Sequence, residues 1–219
     1  MSQNPEVSPA RPNQPEKPKF NPDNAKKARD ALKRGNLTVA LKFLDHINLE
    51  DARSPENCAA VAQALQLRAE ANLQVATVES VGAASADMRA AISLIDTLSP
   101  DVRQIYEAAL VCTATEVQRV RNGHLPVETM DEVDQIVGAV PDEHPAKPIL
   151  TYFSQRTIGI CYAFSPTMSA MSMDRARAAA EEAGVPRDNL LHLSNLSSAK
   201  VATLNAPAPY PLSTLYELP

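Results

Sequence analysis

The sequence predicts an all-α fold, a stack of antiparallel helical hairpins arranged as a solenoid or a closed bundle. Three observations predict it. The 219 residues include only six glycines, and five of these lie between stretches in which apolar residues recur at helical spacing. Proline follows a capping residue at several of the helix starts. Aromatic residues make up 4% of the chain, which is too few for the strands of a typical β-sandwich or barrel.

Start and stop signals divide the chain between its two proline-rich ends. Asn21-Pro22 opens the first helix, because asparagine caps a helix and proline fits its first turn. Gly35-Asn36 ends that helix, and Gly82 is predicted to end the third. The predicted helices cover residues 21–36, 37–47, 54–82, 85–98, 99–123, 126–138, 145–164, 167–183 and 186–204.

The third predicted helix has two apolar faces. One comprises Cys58, Val61, Ala62, Leu65, Ala69, Leu73 and Ala76, and the other Ala60, Ala64, Leu67, Ala71, Val75 and Val78. A helix that is apolar on two faces packs on two sides. Later long helices, over residues 102–120 and 149–164, repeat this pattern, whereas the shorter helices between them are more acidic and apolar on one side. The alternation favours stacked hairpins.

One stretch resembles a tetratricopeptide repeat. It reads Ala28-x-x-Ala31-Leu32-x-x-Gly35-Asn36-Leu37-x-x-Ala40-x-x-x-Leu44-x-x-Ile47, within residues 25–48. In that family, small residues let the two helices of a repeat cross closely, and a Gly-Asn turn joins them. The later hairpins depart from the family, with a spacing of about 45 residues instead of about 34. The resemblance implies a helical-hairpin stack that binds peptides or proteins along its concave face.

Charge is unevenly distributed. Residues 1–42 carry a net charge of +5, whereas the whole chain carries −5. Basic side chains on the first helix form a candidate polyanion-binding patch, since phosphate contact needs only point charges. These side chains are Lys26, Lys27, Arg29, Lys33 and Arg34. The acidic total and the few nearby aromatic rings oppose nucleic-acid binding, and a solvated basic arm is the alternative.

The two ends differ from the middle of the chain. Residues 1–20 are basic and rich in proline, so we expect disorder there. Residues 21–204 form the predicted helical domain, and residues 205–219 a second proline-rich arm with an extended backbone. Its apolar side chains suit docking, either on its own domain or on a neighbouring subunit. The candidate subunit-contact residues are Tyr210, Leu212, Leu215, Tyr216 and Leu218.

Known catalytic and cofactor motifs are missing from the sequence. It contains no G-x-G-x-x-G loop and no H-E-x-x-H pair. The three cysteines, each about fifty residues from the next, are expected to be buried core thiols. The acidic run on residues 128–134 fits a helix start better than a cation site, and His124 and His144 lack a nucleophile or metal partner. Met168, Met171 and Met173 fit a core face or a docking surface. We therefore expect no enzyme activity, metal or cofactor.

Two functions fit these features. The first is a non-enzymatic adaptor or scaffold that binds a protein partner. The alternative is a self-assembling, coat-like structural subunit, in which the C-terminal arm contacts a neighbour and the basic N-terminal region contacts nucleic acid. We see no run of about 18 apolar residues and no secretory signal, so we expect a cytoplasmic, reducing location without membrane contact.

Overall fold

The computed structural model describes residues 21–47, 49–52, 54–162, 165–186 and 211–217. Every regular element in these ranges is a helix, as the all-α prediction requires. Three are short 3₁₀ helices, at Leu49–Asp51, Ile95–Thr97 and Leu212–Glu217. The α-helices are α1 (Pro22–Lys33), α2 (Leu37–Leu44), α3 (Pro55–Val75), α4 (Val78–Leu94), α5 (Pro100–Asn122), α6 (Val127–Ala139), α7 (Lys147–Cys161) and α8 (Pro166–Glu182).

Several helix ends lie where the sequence places them. The side chains of Asn21 and Ser54 cap α1 and α3 by accepting hydrogen bonds from backbone N–H groups in the first turn, and proline follows each cap. Gly123 ends α5 with φ of +76°, a left-handed conformation that glycine adopts without steric cost. The predicted starts of α1 and α3 and the end of α5 are therefore confirmed.

The predicted boundary at Gly82 is wrong. Helix α3 ends at Val75, followed by Ala76 with φ of +57°, and α4 begins at Val78 and contains Gly82. The side chain of Thr77 accepts a hydrogen bond from the backbone of Ser80, and the Ser80 hydroxyl accepts one from the backbone of Thr77. This capping box starts α4 seven residues before the predicted start at residue 85.

Helix α3 separates two clusters of buried side chains. Ala64, Leu67 and Ala71 pack with α1 and α2. On other faces of the same helix, Val61 and Leu65 pack with α4 and α5. The two-sided packing expected for α3 is confirmed. Gln66 of the same helix is completely buried although it is polar.

The largest buried cluster joins α5, α6, α7 and α8 to the C-terminal residues Leu212 and Leu215. Helices α7 and α8 approach closely at Gly159, where a Cβ atom would lie 2.8 Å from Cε of Met173 and 3.2 Å from Cβ of Ser172. Glycine at this position therefore lets the two helices meet. No helix in the described part of the chain has both the length and the apolarity needed to cross a membrane.

Candidate functional site

The C-terminal segment, residues 211–217, packs against helices far from it in sequence. We call its binding surface the cleft, which α3, α5 and α7 form together with α1 at one end. Leu212 and Leu215 insert into the core and are 1% and 4% exposed. Residues 212–217 form a 3₁₀ helix instead of the predicted extended backbone, and this geometry places the two leucines on the same side.

Glu70 of α3 holds the start of the segment. Its carboxylate accepts a hydrogen bond from the backbone N–H of Ser213 at 3.0 Å and another from the Ser213 hydroxyl at 2.8 Å. Burial raises the pKa of Glu70 to about 7, although the two Ser213 hydrogen bonds and the positive charge of Arg29 oppose the shift. Ser213 itself is fully buried, whereas Glu70 is half-buried.

Gln66, one helical turn before Glu70, holds the end of the segment. Its side-chain oxygen accepts a hydrogen bond from the hydroxyl of Tyr216 at 2.6 Å, and its side-chain nitrogen donates to the hydroxyl of Thr113 on α5 at 3.0 Å. The ring of Tyr216 lies 4.9 Å, centroid to centroid, from the ring of Tyr106. The buried glutamine therefore links α3, α5 and the C-terminal segment.

Glu217 ends the segment with two ion pairs to α1. Its carboxylate contacts the guanidinium of Arg29 at 3.4 Å and the ammonium of Lys33. Partial burial acts to raise the pKa of Glu217, but the hydrogen bond and charge of Lys33, together with Arg29, outweigh it and lower that pKa. The cleft therefore pairs an apolar middle with a basic end.

The structure does not place the five residues of the candidate polyanion patch together on one free surface. Arg29 is 6% exposed and contacts Glu217, as does Lys33. The ammonium of Lys27 lies 5.9 Å above the ring of Phe43. Lys26 and Arg34 are exposed. Polyanion binding by the exposed side chains stays a prediction, whereas the side chain of Arg29 already has a carboxylate partner.

The candidate subunit-contact residues lie partly within the described chain. Leu212 and Leu215 are buried among helices of their own chain, and Tyr216 is half-buried. The contacts in this structure are thus intramolecular, and subunit contact stays a prediction. Tyr210 and Leu218 lie outside the described residues, as do the disordered arm predicted for residues 1–20 and nearly all of the helix predicted for residues 186–204.

Sequence reasoning missed Gln66 and Glu70. They are polar residues four positions apart on a helix whose neighbouring residues are largely apolar and buried. Buried polar side chains need hydrogen-bond partners, so their presence in α3 indicates that another segment supplies them. Nothing in local spacing identifies residues 213 and 216 as that segment.

A second polar cluster lies deep inside the protein. Glu116 of α5 accepts hydrogen bonds from Arg119 at 2.7 and 2.8 Å, from Arg156 of α7 at 3.0 Å and from the hydroxyl of Thr157 at 3.1 Å. Burial acts to raise the pKa of Glu116, but the two guanidinium groups outweigh it and lower that pKa to about 2. All four residues are at most 4% exposed, so this cluster supports the fold and does not reach a substrate.

The other candidate chemical groups do not assemble into a site. Within the described ranges, no three His, Cys, Asp or Glu side chains are arranged to hold a metal ion. Nδ1 of His144 accepts a hydrogen bond from the backbone N–H of Ala146 at 3.1 Å. Cys58 and Cys112 are buried, as predicted, and Cys161 is half-buried. Among the methionines, Met173 is buried, whereas Met168 and Met171 are exposed.

Comparison of the chain with protein-family models, with curated proteins and with solved structures gave no significant match.

Proposed function

We propose that the protein is a non-enzymatic interaction module built on helical hairpins, and that its cleft binds a short apolar segment of a partner protein. One observation carries the proposal: the cleft already holds such a segment, residues 211–217, through buried leucines and through polar contacts at both ends. The tetratricopeptide-like match over α1 and α2 supports it, because hairpin stacks of that kind bind peptides.

The bound segment defines the chemistry of the partner. Two leucines three positions apart fill the apolar part of the cleft, a hydroxyl donates to Glu70, and an aromatic hydroxyl donates to Gln66. An acidic side chain then pairs with Arg29 and Lys33. A partner segment with this order of groups would compete with the protein's own C-terminal segment. The protein's own segment has the advantage of a high effective concentration.

The test uses a fluorescent synthetic peptide of residues 205–219 and the full chain. Leu215→Asp places a charge in the core and weakens docking of the protein's own segment. We expect the peptide to bind this variant and to bind the wild type at least about tenfold more weakly, because the wild-type cleft is occupied. A peptide with alanine at positions 215 and 216 is the matched control. Glu217→Lys is a second, milder variant. Absence of peptide binding to both variants, with helical circular dichroism retained, would contradict the proposal.

Self-assembly is the second candidate function, and one feature favours it. Twenty-four residues separate Pro186 from Pro211, and a chain of that length spans at most about 85 Å when fully extended. The C-terminal segment of one copy can therefore reach the cleft of another, which is a low-cost route to oligomers. Light scattering over a range of concentrations separates the two candidates. If copies exchange their C-terminal segments, we expect an oligomer that Leu215→Asp converts to a monomer. If the protein is an adaptor, we expect a monomer at every concentration.

A further inference from the structure

A second groove lies between α4 and the C-terminal half of α5. It consists of two adjoining cavities of about 430 and 320 Å³, which share Ser85, Arg89 and Arg121 in their linings. None of the lining residues belongs to the C-terminal segment. This groove is thus separate from the cleft.

The floor of the groove is apolar and as long as a short helix. Val81 and Met88 of α4 are 7% and 2% exposed, and Val117 of α5 is 3% exposed. Val78 and Ile92 lie at the two ends of the α4 wall and are 91% and 39% exposed. At 1.5 Å per residue, the distance between these two positions along α4 is about 21 Å, which matches about four helical turns of a partner.

The charges around this floor are of one sign. The lining includes the guanidinium groups of Arg89 and Arg121 and no carboxylate. Arg89 donates a hydrogen bond to the hydroxyl of Ser85 at 2.9 Å. Across the described ranges, neither arginine forms an ion pair. By contrast, Arg68 of α3 pairs with Asp87 of α4 at 2.7 Å.

We infer that the groove binds an acidic amphipathic helix of a partner protein. Apolar side chains of the helix would cover the floor, and carboxylates beside that face would pair with Arg89 and Arg121. Charge complementarity of this kind sets orientation and partner choice. A helix fits better than an extended peptide, because it satisfies its own backbone hydrogen bonds while the groove offers side chains.

The groove between α6, α7 and α8 provides the contrast. It is larger, at about 510 Å³, but its lining mixes carboxylates, among them Asp134 and Glu182, with the cations of Lys147 and Arg175. Asp134 accepts a hydrogen bond from Gln155 at 2.6 Å, and the ammonium of Lys147 donates to three backbone carbonyls at the end of α6. The groove between α4 and α5 differs because its charged lining consists of two arginines and no carboxylate.

The test measures fluorescence anisotropy of a labelled, designed peptide with the full chain. The probe is an amphipathic helix about 16 residues long, with leucines on one face and glutamates flanking it. The control probe has lysine in place of every glutamate. We expect the wild type to bind the glutamate probe at least about tenfold more tightly than the lysine probe.

Two variants test the position of the bound probe. Arg89→Glu combined with Arg121→Glu should reverse the preference between the probes, whereas Lys42→Glu, an exposed change on α2, should not. Val78→Asp should weaken binding of the glutamate probe and leave the fold intact, since Val78 is almost fully exposed and Asp suits the first turn of a helix. Equal binding of both probes, or a preference that survives the double reversal, would overturn the inference. A dimer that forms without the probe and dissociates when both arginines are changed to glutamate would also overturn the inference. A second copy of the protein would then occupy the groove.

Discussion

Ser213 donates two hydrogen bonds to the carboxylate of Glu70, one from its hydroxyl and one from its backbone N–H, across 143 residues of sequence. Ser213 is fully buried and Glu70 is half-buried where α3 meets the C-terminal segment. Hydrogen bonds to an ionised acceptor are stronger than those between neutral groups, but a buried charge also carries a desolvation cost. The raised pKa of Glu70 indicates that the desolvation cost is the larger of the two.

The contribution of Glu70 to stability should decrease as pH rises. Its pKa is raised from 4.5 to about 7 in the folded protein, so its stabilising effect is fully present below pH 4.5 and is lost as pH rises through about 7. A shift of this size corresponds to at most about 3 kcal/mol. The groups around the carboxylate are Gln66 on α3, Arg29 on α1, and Ser213 and Tyr216 on the C-terminal segment.

Glu70→Gln removes this titration. We expect the melting temperatures of the variant and the wild type, compared between pH 5 and pH 8.5, to differ by an amount that shifts in favour of the variant as pH rises. Glu132→Gln, at an exposed position in the middle of α6, is the control and should leave the pH profile unchanged. A difference in melting temperature that stays constant from pH 5 to pH 8.5 would mean that Glu70 titrates outside this pH range.

Reversing the charge of Glu217 should loosen the C-terminal segment. Glu217→Lys places a positive charge beside Arg29 and Lys33, and we expect faster hydrogen exchange at the backbone amides of Ser213 and Thr214. Adding Lys33→Glu should recover part of the protection, since it restores one ion pair while the repulsion from Arg29 stays. Unchanged exchange in Glu217→Lys would show that the ion pairs do not hold the segment.

Acid should also weaken this contact. Because the pKa of Glu217 is lowered in the folded protein, its contribution is present above its usual pKa and is lost as pH falls below it. Amide protection of the segment at low pH, compared with that in Glu217→Gln, measures the effect. The two proteins should converge as pH falls.

Breaking the buried ion cluster should strongly destabilise the fold. Glu116→Gln leaves two buried guanidinium groups without their shared carboxylate, and such losses typically cost about 3 to 5 kcal/mol. The free energy of unfolding from urea titrations measures it. Glu132→Gln, at an exposed position in the middle of α6, should change that free energy by no more than about 0.5 kcal/mol. A similar small change in Glu116→Gln would show that the cluster adds little to stability.

Gly159 and Gly82 should respond to alanine in opposite ways. At Gly159 a Cβ atom would lie 2.8 Å from Cε of Met173, so we expect destabilisation by about 1 to 3 kcal/mol. At Gly82 no atom lies within 4 Å of the new Cβ, and alanine should stabilise α4 by about 0.5 to 1 kcal/mol. Combining Gly159→Ala with Met173→Ala should reduce the penalty of the first change. If the destabilisations caused by the two changes simply add, a direct clash between the new Cβ atom and Met173 is contradicted.

Much of the helix layout follows from the sequence, and the failures have physical reasons. Asn21-Pro22 and Asn122-Gly123 are strong local signals, and the structure uses both. Gly82 is a weak signal, because glycine in a helix interior costs only about 1 kcal/mol. The turn before α4 instead uses Ala76 in a left-handed conformation, which its residue type does not indicate.

The candidate site was less predictable, since its contacts join residues far apart in the chain. The apolar character of Leu212 and Leu215 indicated that the C-terminal arm docks, but not where. Arg29 and Lys33 were identified by charge alone, and their carboxylate partner, Glu217, lies more than 180 residues away. Only the fold brings that carboxylate to α1.

The most direct test of the account is whether Tyr216 lies against Tyr106 of the same chain. Nuclear Overhauser effects between the two rings can be measured on full-length protein in which a few labelled copies are diluted into unlabelled ones. The account predicts cross-peaks within labelled chains, since the ring centroids lie 4.9 Å apart. Cross-peaks that vanish on dilution would place the segment in the cleft of another copy, and no cross-peaks at any dilution would contradict docking itself.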